Sequence, residues 1–233
     1  MASDFEGFRP EALDFLVELG LNNDRAWFTP RKGQYEALLK DPLQRFCVAL
    51  GEEFTARGIP MRADERSPFR IYRDVRFSKD KAPYKTNLGA SFPWTGEGGG
   101  VGGYLHLAPG ESFTGGGMYH PSVARLAAWR NAVVNDRAGV HAAIGDPAFV
   151  AAYGTVSADT MLKRAPAGFD PADPDIELLK LKDIVFGHPL SDGEVLARDL
   201  PKRIASDLAA SLPVMRYLAG LPGLEEGSPS WLR

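Results

Sequence analysis

The chain has one cysteine, four histidines and nothing near the ~20 consecutive apolar residues that a membrane-spanning helix needs. With Cys47 alone, an intrachain disulfide and a cysteine-based metal site are both excluded. Cys47 lies at helical spacing in the apolar run LQRFCVAL, which reads as a small buried hydrophobe rather than a nucleophile. His106, His120, His141 and His188 form no HxH, HxxxH or HExxH pair, so the usual histidine metal spacings are missing. No GxSxG elbow or paired-carboxylate signature occurs, which leaves hydrolase mechanisms of those types without support. The glycine run GEGGGVGG lacks the Lys-Ser/Thr ending of a phosphate loop and any strand–turn–helix context. No metal or dinucleotide motif therefore indicates a cofactor. The start, MASDFEGFRPEALDF, has early acids and no basic-then-apolar leader, so cytoplasmic residence is the expectation and no membrane partner is expected.

What remains is an ordinary globular composition, 44% hydrophobic and 24% charged over 233 residues, enough for a sizeable core. The net charge of −3 is unevenly spread. Residues 62–85 hold eight Lys and Arg against four Asp and Glu, a local +4 that leaves −7 for the rest. A basic patch on an acidic chain suits a selective anion site better than a general polyanion binder.

The pattern predicts a single α+β domain over residues 1–233. Residues 8–58 read as helical. Pro10 suits the first turn of a helix that Gly20 ends, a second begins near Arg31, and Asp41 caps a third with Pro42 first and Gly58 as its stop. Residues 68–120 read as an antiparallel sheet: Leu88, Ala90, Phe92 and Trp94 recur at period two. YLHLA and SFTGGGMY form two more strands joined through Pro109-Gly110. The run 96–103 reads as a flexible hairpin loop. Gly115, Gly116 and Gly117 would weaken a strand interior, so a bulge or a close approach to the backbone is expected there. Residues 121–219 are helical or mixed, with 155–190 unassigned. Ser191 and Glu194 have capping-box spacing ahead of a helical stretch that Pro201 interrupts. The tail 220–233 reads as loop.

The densest chemistry is FRIYRDVRFSKDKAPYKTN, residues 69–87. Read as a strand, it sets Arg70, Tyr72, Asp74 and Arg76 on one face and Ile71, Val75 and Phe77 on the other, with Arg73 among the apolar group. A shielded guanidinium must find a carboxylate, carbonyls or an external anion, and the reading favours the anion. Lys79, Lys81, Tyr84 and Lys85 follow on an irregular loop where side chains can converge. The candidate ligand-binding set is thus Arg70, Tyr72, Arg73, Arg76, Lys79, Lys81, Tyr84 and Lys85. Lys163 and Arg164 join it if a second basic group, which includes Lys180 and Lys182, lies beside the first. The alternative for the first group is a salt-bridged strand edge, and for the second a solvated face. His106 shares a strand face with Tyr104 and, with Asp74, is the candidate acid or base, although a hydrogen-bonded sheet histidine is the commoner outcome.

Four stretches taken together, NNDRAWF, RIYRDVRFSKDKAPYKTN, YLHLAPGESFTGGGMYHPS, and LKRAPAGFD with LLKLKD, resemble the uncharacterised bacterial and fungal family called domain of unknown function 2461. They span residues 22–183. The resemblance implies one domain and intracellular residence, and it brings no activity, cofactor or catalytic residue. His120 and His188 stand where that pattern has other residue types.

Three functions follow from the residues. The first is recognition or turnover of a small anionic ligand, such as a phosphorylated metabolite or nucleotide. The second is nucleic-acid binding on a basic-aromatic sheet face, against which a pI of about 5.8 counts. The third is a non-enzymatic interaction module. Whether the chain is an enzyme, and its oligomeric state, stay open at this level.

Overall fold

A computed structural model describes residues 5–223. Pro10, with no amide to donate and φ already near the helical value, occupies the first turn of α1 (Pro10–Leu21), which buries Phe15, Leu16 and Leu19. The next helix starts earlier than the sequence predicts. Asp24 accepts from the Trp27 amide (2.8 Å) and opens α2 (Arg25–Phe28), which passes through a 3-10 turn (Thr29–Arg31) into α3 (Lys32–Tyr35).

Asp41 is not a cap. A π turn (Glu36–Lys40) carries the chain without interruption into α4 (Asp41–Arg57), and Lys40 is already helical at φ −65, ψ −53. The wide turn accommodates Pro42, whose ring would otherwise meet a carbonyl one α-turn back. Gly58 ends α4 in the left-handed region, as its sequence position predicts. Along α4, Leu43, Phe46, Cys47, Leu50 and Phe54 form one buried stripe. Each such Leu or Phe contributes ~1.5–3 kcal/mol by leaving water.

The fold is α+β. The sheet has four antiparallel strands in the order β1 (Leu88–Pro93), β2 (Gly102–Leu107), β3 (Phe113–Met118) and β4 (Ile184–Pro189). The first three are the strands expected from alternation. The fourth comes from the stretch the sequence leaves unassigned, and residues 68–87 supply no strand of the sheet, contrary to the 68–120 expectation. Between β3 and β4 run α5 (Val123–Asn135), α6 (Arg137–Ile144), α7 (Pro147–Tyr153) and α8 (Ile176–Lys180). After β4, Ser191 and Glu194 form the predicted capping box of α9 (Asp192–Leu196). Pro201 stands in the first turn of α10 (Leu200–Ala210), and α11 (Leu212–Gly220) follows. The loop expected over 220–233 falls mostly on residues 224–233, outside the described residues. Among the described residues, no helix is long and apolar enough to cross a membrane.

Packing divides the chain into two compact units. The first is drawn from the chain up to Phe92, Tyr104–Thr114 and Pro189–Ser206; the second from Pro93–Gly103, Gly115–His188 and the chain from Asp207. In the first, Phe54 meets Phe92 edge-on at 5.9 Å between centroids, and Cys47 is fully buried. In the second, Trp129, Phe149, Ile184 and Met215 are buried. The glycines of β3 have their explanation there. A Cβ on Gly115 would lie 2.0 Å from the Phe186 carbonyl oxygen, and one on Gly117, at φ 125, would lie 2.2 Å from that of Ile184. The close approach is the backbone of β4 itself.

The run 96–103 is not a loose loop. The Gly99 amide donates to the Ala219 carbonyl (3.2 Å). Arg125, buried on α5, donates through Nη2 to the carbonyls of Gly99 (2.9 Å) and Leu218 (2.6 Å), and through Nη1 to that of Leu221. Burial holds its guanidinium below the usual arginine pKa.

Candidate functional site

Residues 69–87 form a narrow out-and-back arm in the first unit. Isolated antiparallel bridges join Pro68 to Ala90 and Tyr72 to Tyr84. The Arg73 amide donates to the Pro83 carbonyl (2.9 Å), and the Lys85 amide to that of Ile71 (2.8 Å). The tip is closed by short side-chain turns rather than by a ladder. Asp74 accepts from the Arg76 amide at 3.2 Å and Asp80 from the Ala82 amide at 2.9 Å. The alternating faces expected of a strand therefore fail: Ile71 is buried, whereas Phe77 is 95% exposed.

The arm satisfies several of its own cations. Arg73 Nη1 donates to Asp80 Oδ2 (2.6 Å) and to the Ala82 carbonyl (3.1 Å), so this nitrogen has the protein-made acceptors that are the alternative to an external anion. Arg76 forks onto Asp74 through Nη2 (2.7 Å) and Nε (3.0 Å), both side chains being exposed. These bonds hold the Asp74 carboxyl at about 2, which leaves it a poor base at neutral pH. Lys81 Nζ donates to the Val75 carbonyl (2.9 Å), and Lys79 is exposed. Tyr84 is buried, stacked on Phe28 at 4.1 Å, with its backbone held on both sides by the Asn23 amide group. It anchors the arm. Tyr72 leans on it at 5.5 Å and stays half exposed.

The base of the arm meets the polar side of β2. Tyr104 and His106 share that side, as period two requires, and the His106 ring stacks on Phe113 at 4.9 Å and 15°. His106 Nδ1 lies 3.2 Å from Tyr104 Oη and 3.4 Å from Asn87 Nδ2. Burial pushes the imidazole below its ordinary pKa, against a smaller opposing effect of Glu111, so it is neutral at pH 7. Phe69 lies 6.1 Å from the Tyr104 ring, and the Lys85 ammonium 5.2 Å above the Phe69 ring. Gly89 leaves room for both rings: a Cβ there would meet Tyr104 Oη at 3.0 Å and Phe69 at 3.1 Å.

Lys85 is pushed below its usual pKa, first by burial and then by the positive charge of Arg70. Among the described residues, neither Arg70 nor Lys85 has a carboxylate within ion-pair distance. Phe69, Asn87, Gly89 and Phe113 are the members that sequence reading missed. Their signal is non-local, because only pairing of the arm with β1 and of β2 with β3 brings them together.

Lys163, Arg164, Lys180 and Lys182 belong to the second unit. Lys163, Arg164 and Lys182 are exposed, and Lys180 pairs with Glu177 at 2.9 Å. Among the described residues, no three His, Cys, Asp or Glu side chains group to hold a metal ion.

A family model described as a conserved hypothetical protein, domain of unknown function 2461, matches residues 11–217. The chain belongs to this family. The match takes in both the arm and the Tyr104–His106 strand, so the polar face lies wholly within the family's domain. No curated protein and no solved structure matches the chain.

Proposed function

We propose that the face formed by Phe69, Arg70, Lys85, Asn87, Tyr104, His106 and Phe113 recognises a small anionic ligand bearing a flat ring, a class that includes nucleotides. The observation that carries this reading is the Arg70–Lys85 pair. The Lys85 ammonium sits 5.2 Å over the Phe69 ring, neither it nor Arg70 has an ion-pair partner among the described residues, and a bound anion would neutralise both charges. The aromatic rings at 4.9–6.1 Å spacing offer a surface for a planar group. A neutral imidazole and an amide beside them can read its hydrogen-bonding edge.

The test is a thermal-shift series with AMP, adenosine and inorganic phosphate. AMP raises the melting temperature more than either fragment, and Arg70→Met removes the AMP response while the protein stays folded. An AMP effect no larger than that of phosphate, or one that survives in Arg70→Met, overturns the reading. Phe77 supports a second reading. An aromatic ring 95% exposed at the arm tip, with the Arg76 guanidinium 5.8 Å away and Lys79 nearby, suits stacking on a base of single-stranded nucleic acid. Steeply salt-dependent oligonucleotide binding lost in Phe77→Ser would put that reading first.

A further inference from the structure

A second place in the first unit, away from the sheet face, has room for a ligand. The chain enters α1 through Phe5–Arg9, passing a fixed bend at Gly7, where φ is 93 and a Cβ would lie 2.4 Å from the Leu196 carbonyl oxygen. Opposite stands the π turn Glu36–Lys40, followed by Pro42 and the first turn of α4. Between them lies a cavity of about 350 Å³, lined, among the described residues, by these two segments. That volume is at the small end of known ligand sites.

The lining is divided in its chemistry. Phe5, Leu38 and Pro42 supply carbon surface, and Phe5 is itself packed edge-on against Phe8 and Phe46 at 5.5 Å. Gly7 contributes no side chain, which keeps that wall open. Arg9 and Arg45 supply the polar part. Among the described residues neither guanidinium has an ion-pair partner, whereas the acid in the lining, Glu6, is directed to Arg198 at 3.6 Å. The π turn matters because an extra residue per turn widens the helix wall where Leu38 stands, and such turns recur at functional sites. Two unpaired guanidiniums beside an apolar cleft match a ligand with one anionic end and one aliphatic end. A planar carboxylate fits the guanidinium fork.

We propose that this cleft binds a short-chain aliphatic carboxylate, its carboxylate against Arg9 and Arg45 and its chain against Phe5, Leu38 and Pro42. The charge selects the head and the carbon walls select the tail. The site shares no residue with the sheet face, so the two stand or fall separately.

The experiment titrates the full chain with hexanoate, hexan-1-ol, hexylammonium and inorganic phosphate, followed by amide chemical shifts. Hexanoate gives saturable shifts at Gly7, Leu38 and Arg45, and hexylammonium gives none. Arg45→Met and Arg9→Met, both at exposed positions, each weaken hexanoate by about tenfold, as expected for loss of one charge-assisted contact. Arg70→Met leaves hexanoate binding unchanged. Equal binding of hexan-1-ol shows that no charge is read and overturns the proposal. Equal binding of phosphate shows that no chain is read and also overturns it, as do hexanoate shifts confined to the sheet face.

Discussion

Arg73 Nη1 lies 2.6 Å from Asp80 Oδ2, and the other oxygen of that carboxylate accepts from the Ala82 amide at 2.9 Å. One acid thus ties the outgoing leg of the arm to its return leg. With Asp80 well exposed and the Arg73 side chain 29% exposed, the pair shapes the arm more than it stabilises the protein.

Arg73→Met should therefore lower the melting temperature only slightly and speed amide exchange at Ala82 and Tyr84, while AMP-induced stabilisation persists. Loss of the AMP response with arm exchange unchanged would place Arg73 in the ligand site after all.

Asp74 provides a pH signature for the same arm. Hydrogen bonds from Arg76 hold its carboxyl at about 2 against an ordinary 3.8. A carboxyl depressed on folding adds stability that is present above its unfolded pKa and fades as pH falls from 3.8 towards 2. Carboxyl carbon shifts should place the Asp74 midpoint near 2, and Arg76→Met should return it to the ordinary range. A wild-type midpoint near 3.8 would mean the fork is not populated in solution.

These residues also mark what sequence could and could not provide. The stripe of α4 and the β1–β3 meander were legible, because period 3.6 and period two are local and Pro109-Gly110 permits only a tight turn. Strand β4 was hidden: Ile184, Val185 and Phe186 are consecutive apolar residues, which conceal alternation. For the site, Tyr104 and His106 could be placed on one strand face, and Arg70 and Lys85 within one basic group. The arm misled because alternation has meaning only where a ladder fixes it, and residues 74–82 have none. Arg73's partner lies seven residues away across that turn, beyond any periodic rule.

The glycines of β3 give a stability contrast. Gly117→Ala must push against the Ile184 carbonyl at positive φ and should cost at least ~2 kcal/mol. Gly193→Ala, in α9 with nothing within 4 Å, should stabilise by about 0.5 kcal/mol. Urea unfolding of both variants checks this, and equal effects would show that β4 does not approach β3 so closely.

Tyr153, His188 and Asp207 form a polar knot in the second unit. Tyr153 Oη, His188 Nδ1 and Asp207 Oδ2 are buried without hydrogen-bond partners among the described residues, although His188 Nε2 comes within 3.4 Å of Asp207 Oδ2. Burial, then the Asp207 charge, pushes the phenol well above its usual pKa. Since the hydroxyl is desolvated without return, Tyr153→Phe should leave stability unchanged or raise it by up to ~1 kcal/mol. A loss beyond ~1 kcal/mol would reveal a bridging water there.

Arg125 has a further consequence, for how this part of the molecule opens. One side chain from the first turn of α5 serves carbonyls at residues 99, 218 and 221, which lie 26, 93 and 96 positions from it along the chain. Freeing any one of these segments strands a buried charge against the others. The glycine run, the start of α5 and the last turn of α11 should therefore open together, with one shared opening free energy in place of three independent fraying motions.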